Sequence, residues 1–237
     1  MTTAGELERA VRHHRDRLAS VLPAEIMAGG AVVFDFTDDG EGTSEIDPGD
    51  ARGFTSYVRG ELESHGVVLG IGRWAEDRTI YRHSALFAGE DEPRTVHLGI
   101  DLFAAAGTPV SAPLGGTVHS WADNDRLGDY GPTILLAHVL DGIGFSTLYG
   151  HLSRESLVGL ESGRQIATGE VFAAVGSVEE NGAWPPHLHF QLITELGGRR
   201  GDFPGVARQS EREAFLERCP DPSVILGLDR ISRVVQL

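Results

Sequence analysis

Cysteine is almost absent from this sequence: Cys219 is the only one among 237 residues. One cysteine cannot form an intrachain disulfide, so the fold does not depend on an oxidising compartment. A four-cysteine zinc site is excluded for the same reason. Any metal ion must therefore be held by histidine and carboxylate side chains, and the chain has 10 histidines.

Positive charge is also scarce. The chain has 20 Lys and Arg residues against 35 Asp and Glu residues, which gives a formal net charge of −15. An electrostatic field of this sign repels phosphate backbones and anionic lipid headgroups. We therefore expect neither a nucleic acid nor a membrane surface as a partner, and the oligomeric state stays open.

The sequence lacks long hydrophobic runs. Charged residues interrupt residues 1–26 throughout, so this stretch is unlike the apolar segment of a signal peptide. No run elsewhere reaches the length of a membrane-spanning helix. Hydrophobic residues still make up 41% of the chain, which is enough for a core. We expect a folded protein that works in the cytoplasm.

Local patterns divide the chain into three parts. Residues 1–65 are predicted to be an N-terminal α/β appendage. Residues 66–200 contain short apolar runs separated by Gly and Pro, which predicts a mainly β domain with an antiparallel sheet. Residues 201–237 are predicted to be a tail with one charged helix. Apolar spacing predicts three elements within the appendage: a helix at Leu7–Val21, a strand at Ala31–Phe36 and a helix at Arg52–Ser64.

The first pattern that indicates chemistry is His97-Leu-Gly-Ile-Asp101. In an ideal strand, positions four apart are separated by about 13 Å, which is too far for one metal ion. The backbone must therefore bend, and Gly99 at the midpoint is the residue most able to permit it. After such a bend the imidazole and the carboxylate converge, and both are good zinc ligands. By itself the pattern is not specific for a metal site.

The second pattern is His187-Leu-His189-Phe-Gln. Alternate residues of a strand face the same side about 6.6 Å apart, so one imidazole can bind a metal ion while the other stands beside it. The alternating residues Leu188, Phe190 and Leu192 are then expected to face the core. The alternative is that both histidines lie in solvent on the surface of the sheet.

The third pattern is Tyr149-Gly-His151-Leu, at the end of a strand-like run. A histidine in this position is uninformative in isolation. The three patterns together, however, supply what a catalytic zinc ion needs: three protein ligands, an open position, and a group that takes a proton from water.

The order and spacing of these patterns resemble the M23 family of zinc metallopeptidases, the LytM and lysostaphin-like endopeptidases. A further run, Gly107-Thr-Pro-Val-Ser-Ala112, fits the same resemblance. The form Trp184-Pro-Pro-His-Leu-His-Phe-Gln191 is similar to the M23-type modules found inside larger intracellular proteins, which points to small-molecule metabolism.

The resemblance implies a role for each residue of the three patterns. It implies that His97, Asp101 and His189 bind Zn²⁺. It implies that His151 and His187 flank the activated water as catalytic histidines. The implied fold is a mainly antiparallel β core with a substrate groove over one sheet. The implied reaction is hydrolysis of a peptide or amide bond.

Four further residues are candidates for positions beside the ligands or in the groove. The family usually has Glu where Gln191 stands, and its usual small-residue loop is replaced here by Gly176–Trp184, so the substrate specificity is open. Trp184 belongs to that loop. His138 and Tyr149 end strand-like runs near the implied site, although a structural role is the alternative for His138.

Three hypotheses about function remain. The first is a zinc hydrolase of peptide or amide bonds, with a peptide or a small amide as substrate. The second is another metal-dependent reaction on a small cytoplasmic metabolite in a biosynthetic pathway. The third is a binding module without catalysis, which the presence of all five implied site residues disfavours.

Overall fold

The computed structural model describes residues 3–37, 46–47, 49–81, 87 and 92–237. Among these described residues, no helix has the length and apolar character needed to cross a bilayer. The helices are α1 (Ala4–His13), α2 (Ala24–Ala28), α3 (Ala51–His65), α4 (Arg212–Arg218) and α5 (Ser223–Leu226). The strands are β1 (Ala31–Phe34), β2 (Leu69–Gly72), β3 (Arg94–His97), β4 (Ile100–Phe103), β5 (Pro109–Ser111), β6 (Gly116–Asn124), β7 (Gly131–Leu140), β8 (Ile143–Gly150), β9 (Gln165–Ile166), β10 (Val171–Ala174), β11 (His187–Ile193), β12 (Val206–Arg208) and β13 (Val234–Gln236).

A nine-stranded sheet in the order β13-β1-β2-β4-β11-β8-β7-β6-β9 dominates the described residues. From β2 onward its strand pairs are antiparallel, whereas β1 pairs in parallel with both β2 and β13. The expected mainly β fold is confirmed. The N-terminal α/β segment is hydrogen-bonded to the predicted β domain, because β1 pairs with β2 in the same sheet.

Strand β11 is buried on both faces. Its alternate residues Leu188, Phe190 and Leu192 lie in the largest hydrophobic core, which confirms the predicted alternation. The other face of the strand carries the polar side chains: His187, His189 and Gln191. Each of these is at most 4% exposed, so this face is covered by protein rather than by bulk water.

A second, aromatic cluster packs α3 against the sheet. The Asp50 side chain accepts hydrogen bonds at the start of α3, and Gly66 ends the helix in a left-handed conformation with φ of 64°. The predicted helix at Arg52–Ser64 is therefore confirmed. The cluster contains Phe34, Phe36, Phe54, Tyr81, Phe87, Phe103 and Trp184.

The first helix is shorter than predicted, because it ends at His13 rather than at Val21. The ring Nε2 of His14 lies 2.8 Å from a carboxylate oxygen of Asp141, which fixes the chain to the turn between β7 and β8. Leu18 then has an extended backbone. Val21 is still fully buried. It therefore packs in the core, as its apolar character suggests, although it is not part of a helix.

We expect Leu192→Ala to lower the free energy of unfolding by about 3 kcal/mol, because it leaves a cavity in a packed core. Leu192 is fully buried on the face of β11 that points away from the histidines. Val139→Ala is the matched control, since Val139 is 76% exposed and its change should stay within about 0.5 kcal/mol. Urea unfolding followed by circular dichroism measures both. Equal losses for the two variants would contradict this assignment of the core.

Candidate metal centre

Sheet register brings two of the implied ligands together. Asp101 on β4 and His189 on β11 are direct partners across antiparallel strands. Side chains at such positions have Cβ atoms about 4.5–5.5 Å apart. His97 ends β3, which pairs with β12 in a separate small sheet. The chain bends between β3 and β4, at Gly99 as the spacing requires, and this bend returns His97 to the other two residues.

The three donor atoms form a compact triangle. Nε2 of His97 lies 3.1 Å from Nδ1 of His189 and 3.2 Å from Oδ1 of Asp101, and the last two atoms are 3.0 Å apart. Two ligands of a tetrahedral zinc ion with bonds of about 2.0–2.1 Å are about 3.3 Å apart. The described residues therefore fit one four-coordinate ion with nitrogen and oxygen ligands.

His97 directs the lone pair of its Nε2 atom into this triangle. Its Nδ1 donates a hydrogen bond of 2.8 Å to the backbone carbonyl of Arg73, so Nε2 is the unprotonated nitrogen. Burial and the nearby Arg78 charge lower the pKa of His97 to about 4. A neutral imidazole is the form that binds a metal ion.

Asp101 is ionised although it is buried. Burial opposes its ionisation, but the positive charge of the Arg78 guanidinium helps to hold its pKa well below the usual range. Nη1 of Arg78 lies 2.7 Å from Oδ2, which leaves Oδ1 for the triangle. Arg78 in turn bonds Glu76 through Nε at 3.0 Å and the hydroxyl of Tyr81 through Nη1 at 2.7 Å.

His151 and His187 stand beside the triangle as a pair, with ring centroids 4.1 Å apart. Each Nδ1 donates to a backbone carbonyl, at 2.8 Å to Asn181 for His151 and at 2.6 Å to Pro185 for His187. Nε2 of His187 lies 3.7 Å from Oδ1 of Asp101. Burial lowers the pKa of both rings, so each presents an unprotonated Nε2.

The triangle and the histidine pair line a cleft of about 530 Å³. Phe54, Tyr81, Phe87 and Trp184 of the aromatic cluster contribute to its lining, and we call these four residues the aromatic wall. The segment before β7 and the loop before β12 contribute apolar, acidic and basic side chains. These include Arg126, Leu127, Tyr130, Arg199 and Asp202.

The other sequence candidates fall on both faces of the sheet. Trp184 lines the cleft, and Oε1 of Gln191 lies 2.9 Å from Nε2 of His189. Tyr149 pairs with Phe190, which faces the core, so its side chain points away from the cleft. Its ring packs against Phe172 and Phe190.

His138 also lies on the core face, because it pairs with Phe145, four residues from Tyr149 on the same strand. Its Nδ1 lies 3.0 Å from the carbonyl of Gly115 and its Nε2 lies 2.7 Å from the hydroxyl of Thr147. Both ring nitrogens are therefore engaged away from the candidate metal ligands. This geometry favours the structural role for His138.

Sequence reasoning missed Arg78, Glu76 and Tyr130. Arg78 and Glu76 sit in a run of mixed charges, and no spacing rule links them to Asp101 more than 20 residues later. Tyr130 precedes β7, and its hydroxyl lies 3.4 Å from Nε2 of His189. A Cβ atom at Gly205 would lie 2.1 Å from that hydroxyl, so a glycine there is a sterically necessary partner of the tyrosine.

We expect Gly99→Ala to weaken zinc binding by about 10–100-fold, the range for a ligating histidine that loses its orientation. A Cβ atom at Gly99 would lie 2.6 Å from the His189 ring and 2.8 Å from the Phe190 carbonyl. Gly60→Ala is the control, because a Cβ atom there meets nothing within 4 Å. Competition with a chromophoric chelator measures the dissociation constants. An unchanged value for Gly99→Ala would show that His189 is not held at this distance.

Comparisons with known proteins agree with this geometry. Residues 95–200 match the family model "Peptidase family M23". The chain is 34% identical over 130 residues to an uncharacterized metalloprotease of Haemophilus influenzae, covering 52% of this chain and 25% of that protein. It is 35% identical over 96 residues to the DD-carboxypeptidase/endopeptidase Mpg of Neisseria meningitidis serogroup B, covering 40% of this chain and 20% of that protein.

A solved structure of a putative peptidase M23 from Pseudomonas aeruginosa is 25% identical and covers 61% of this chain and 52% of that one, with a TM-score of 0.37. The chain spans a quarter or less of the length of the two curated relatives described above. The matched segment contains the three candidate ligands and both histidines of the pair. Residues 95–200 of this chain, which carry these side chains, are thus similar in sequence to peptidase family M23.

Proposed function

We propose that this protein is a zinc-dependent hydrolase of peptide or amide bonds. The observation that carries the proposal is the triangle of His97, Asp101 and His189, whose donor atoms lie 3.0–3.2 Å apart beside two oriented imidazoles. Two imidazole nitrogens and one carboxylate oxygen suit zinc, and an open fourth position is typical of its catalytic sites. The resemblance to metalloproteases supports the same assignment.

A bound zinc ion supplies Lewis-acid chemistry, since it polarises a carbonyl and makes water a stronger acid. The residues of the chain then handle the proton. The unprotonated Nε2 of His151 or His187 accepts the proton that water loses as its oxygen attacks the carbonyl carbon. The resulting imidazolium stabilises the oxyanion of the substrate and returns its proton to the leaving amine.

Arg78 has a separate role in this proposal. It binds Oδ2 of Asp101 from the side away from the triangle, at 2.7 Å. The carboxylate is thereby held in one orientation and offers one oxygen to the ion. Since Arg78 is buried and itself bonded to Glu76 and Tyr81, this orientation does not depend on substrate.

A second candidate function is a metal-dependent reaction on a small metabolite. The cleft volume of about 530 Å³ lies within the range of small-molecule sites, about 300–1,000 Å³. Moreover, Phe54, Tyr81 and Phe87 of the aromatic wall come from outside the matched residues 95–200. A cleft lined in this way favours a compact metabolite over a long polymer chain.

We expect His189→Ala to abolish stoichiometric zinc binding and His151→Ala to keep it. Turnover of the His151 variant should fall about 10²–10⁴-fold, the usual contribution of a general acid or base. His13→Ala is the control, because His13 is an exposed residue at the end of α1. Elemental analysis gives the metal content of each variant. Equal metal loss in the two site variants would contradict the division into ligands and proton carriers.

We expect cleavage of peptide or amide substrates to separate the two candidate functions. Purified protein loaded with zinc is assayed on cell-wall sacculi, on glycine-rich peptides and on a panel of small acyl amides. Robust cleavage of sacculi or peptides would count against the metabolite reaction. Turnover confined to small amides would support amide hydrolysis and would restrict the substrate to small molecules. Failure of the protein to take up stoichiometric zinc, together with no hydrolysis of any substrate, would instead indicate a binding module.

A further inference from the structure

We propose that Gln191 is a positioning residue that holds His189 in the tautomer protonated at Nε2, so that Nδ1 is the nitrogen offered to the metal ion. We propose in addition that Pro204 and Cys219, outside the matched segment, fix the Gln191 amide for this role. The inference rests on the metal site of the proposed function and is independent of the bond that is cleaved.

His189 differs from the other three site histidines in how it is oriented. His97, His151 and His187 each donate from Nδ1 to a backbone carbonyl, so the backbone sets their tautomer. In His189 the directions are reversed: Nδ1 faces the triangle and Nε2 lies 2.9 Å from Oε1 of Gln191. A side chain therefore decides which nitrogen of His189 carries the proton.

The surroundings of Gln191 fix which end of its amide faces His189. Its Nε2 lies 3.1 Å from the carbonyl oxygen of Pro204 and 3.2 Å from Sγ of Cys219. The carbonyl oxygen of Pro204 can only accept, so the amide nitrogen must point to it. Oε1 then points to His189, and because Oε1 can only accept, Nε2 of His189 must donate.

Tyr130 provides a further reason for this orientation. Its hydroxyl lies 3.5 Å from Oε1 of Gln191 and donates to it. An amide oxygen has two lone pairs, so it accepts from both Tyr130 and His189.

Direct contact between Gln191 and substrate is excluded by burial. The side chain is 0% exposed and is not among the described residues that line the cleft. Any effect of Gln191 on binding or turnover must therefore pass through His189. The hydrogen bond from Gln191 to Sγ of Cys219 connects α4 to the candidate metal site, because Cys219 directly follows that helix.

A carboxylate cannot replace this amide without loss. Glu at position 191 could still accept from Nε2 of His189, but its second oxygen would face the carbonyl oxygen of Pro204 at about the present 3.1 Å. Two acceptors at this distance repel each other. The amide and its partners Pro204 and Cys219 thus form one unit in this chain.

The test is imidazole ¹⁵N NMR on the zinc-loaded full chain, combined with zinc titration, because without the ion the Asp101 carboxylate, 3.0 Å from Nδ1 of His189, competes for the ring proton. In the wild type, His189 should carry its proton on Nε2, whereas His97, His151 and His187 should carry theirs on Nδ1. In Gln191→Met, which keeps the length but not the acceptor, the Nε2 proton of His189 should lose its hydrogen bond and exchange faster with water, and zinc affinity should fall about 10–100-fold. Gln165→Met is the matched control on edge strand β9 and should change neither result.

The variant Gln191→Glu distinguishes a role of Gln191 in orienting His189 from a role in packing alone. It should retain the Nε2 proton on His189 while lowering the thermal midpoint, whereas a merely structural role would disturb His189 equally in both variants. A wild-type His189 protonated on Nδ1 would overturn the proposal, whether or not any variant folds. Unchanged zinc affinity in a folded Gln191→Met would also overturn it. Failure to cleave peptides would contradict the proposed function but would leave these readouts intact.

Discussion

The negative charge on Asp101 is the constraint around which the centre of this protein is arranged. Transfer of a carboxylate from water to a protein interior costs several kcal/mol unless partners compensate it. Salt bridges connect Asp101 through Arg78 to Glu76, and through Arg73 to Asp35. These five groups carry three formal negative and two positive charges, so a cation at the triangle completes the compensation.

The neutral histidines also favour a cation at the triangle. With its proton on Nδ1, His97 presents a lone pair 3.2 Å from an ionised oxygen of Asp101. Two such lone pairs repel each other unless a cation or a proton lies between them. Burial disfavours the proton on His97, because it lowers the pKa of that ring to about 4. A metal ion is therefore the natural occupant of the triangle.

Backbone strain is also concentrated near the centre. His151 has a φ of 60° and Ala183 a φ of 68°, a left-handed conformation that side chains other than Gly rarely adopt. The hydrogen bond from Nδ1 of His151 to the Asn181 carbonyl holds its ring in place. The Asn181 side chain in turn bonds both the N–H and the carbonyl of Trp184. Strain supported by such contacts is typical of residues whose direction matters for function.

Local patterns in the sequence predicted what short-range geometry controls. Alternation along β11 correctly separated the core residues from His187 and His189, and the need for a bend identified Gly99. Tyr149 was expected near the groove, but its pairing with Phe190 turns it to the core face. This choice of face depends on sheet register, which no motif contains.

The supporting groups of the site were not predicted from the sequence, because they depend on contacts between distant segments. Gln191 meets Cys219 across 28 positions, and Arg78 meets Asp101 across 23. Neither pair has a spacing rule, because loops of irregular length connect the partners. The sequence therefore pointed to the candidate ligands, whose types and order are restricted by chemistry, but not to the groups that hold them.

The groups that hold the candidate ligands are not confined to the segment that matches the family model. Residues 95–200 contain the ligand triangle and the histidine pair, whereas Arg78, Pro204 and Cys219 lie outside them. The first holds the ligand carboxylate and the other two hold the amide that orients His189. Ligand identity and ligand orientation thus come from different parts of the sequence, and the extended sheet joins them in one structure.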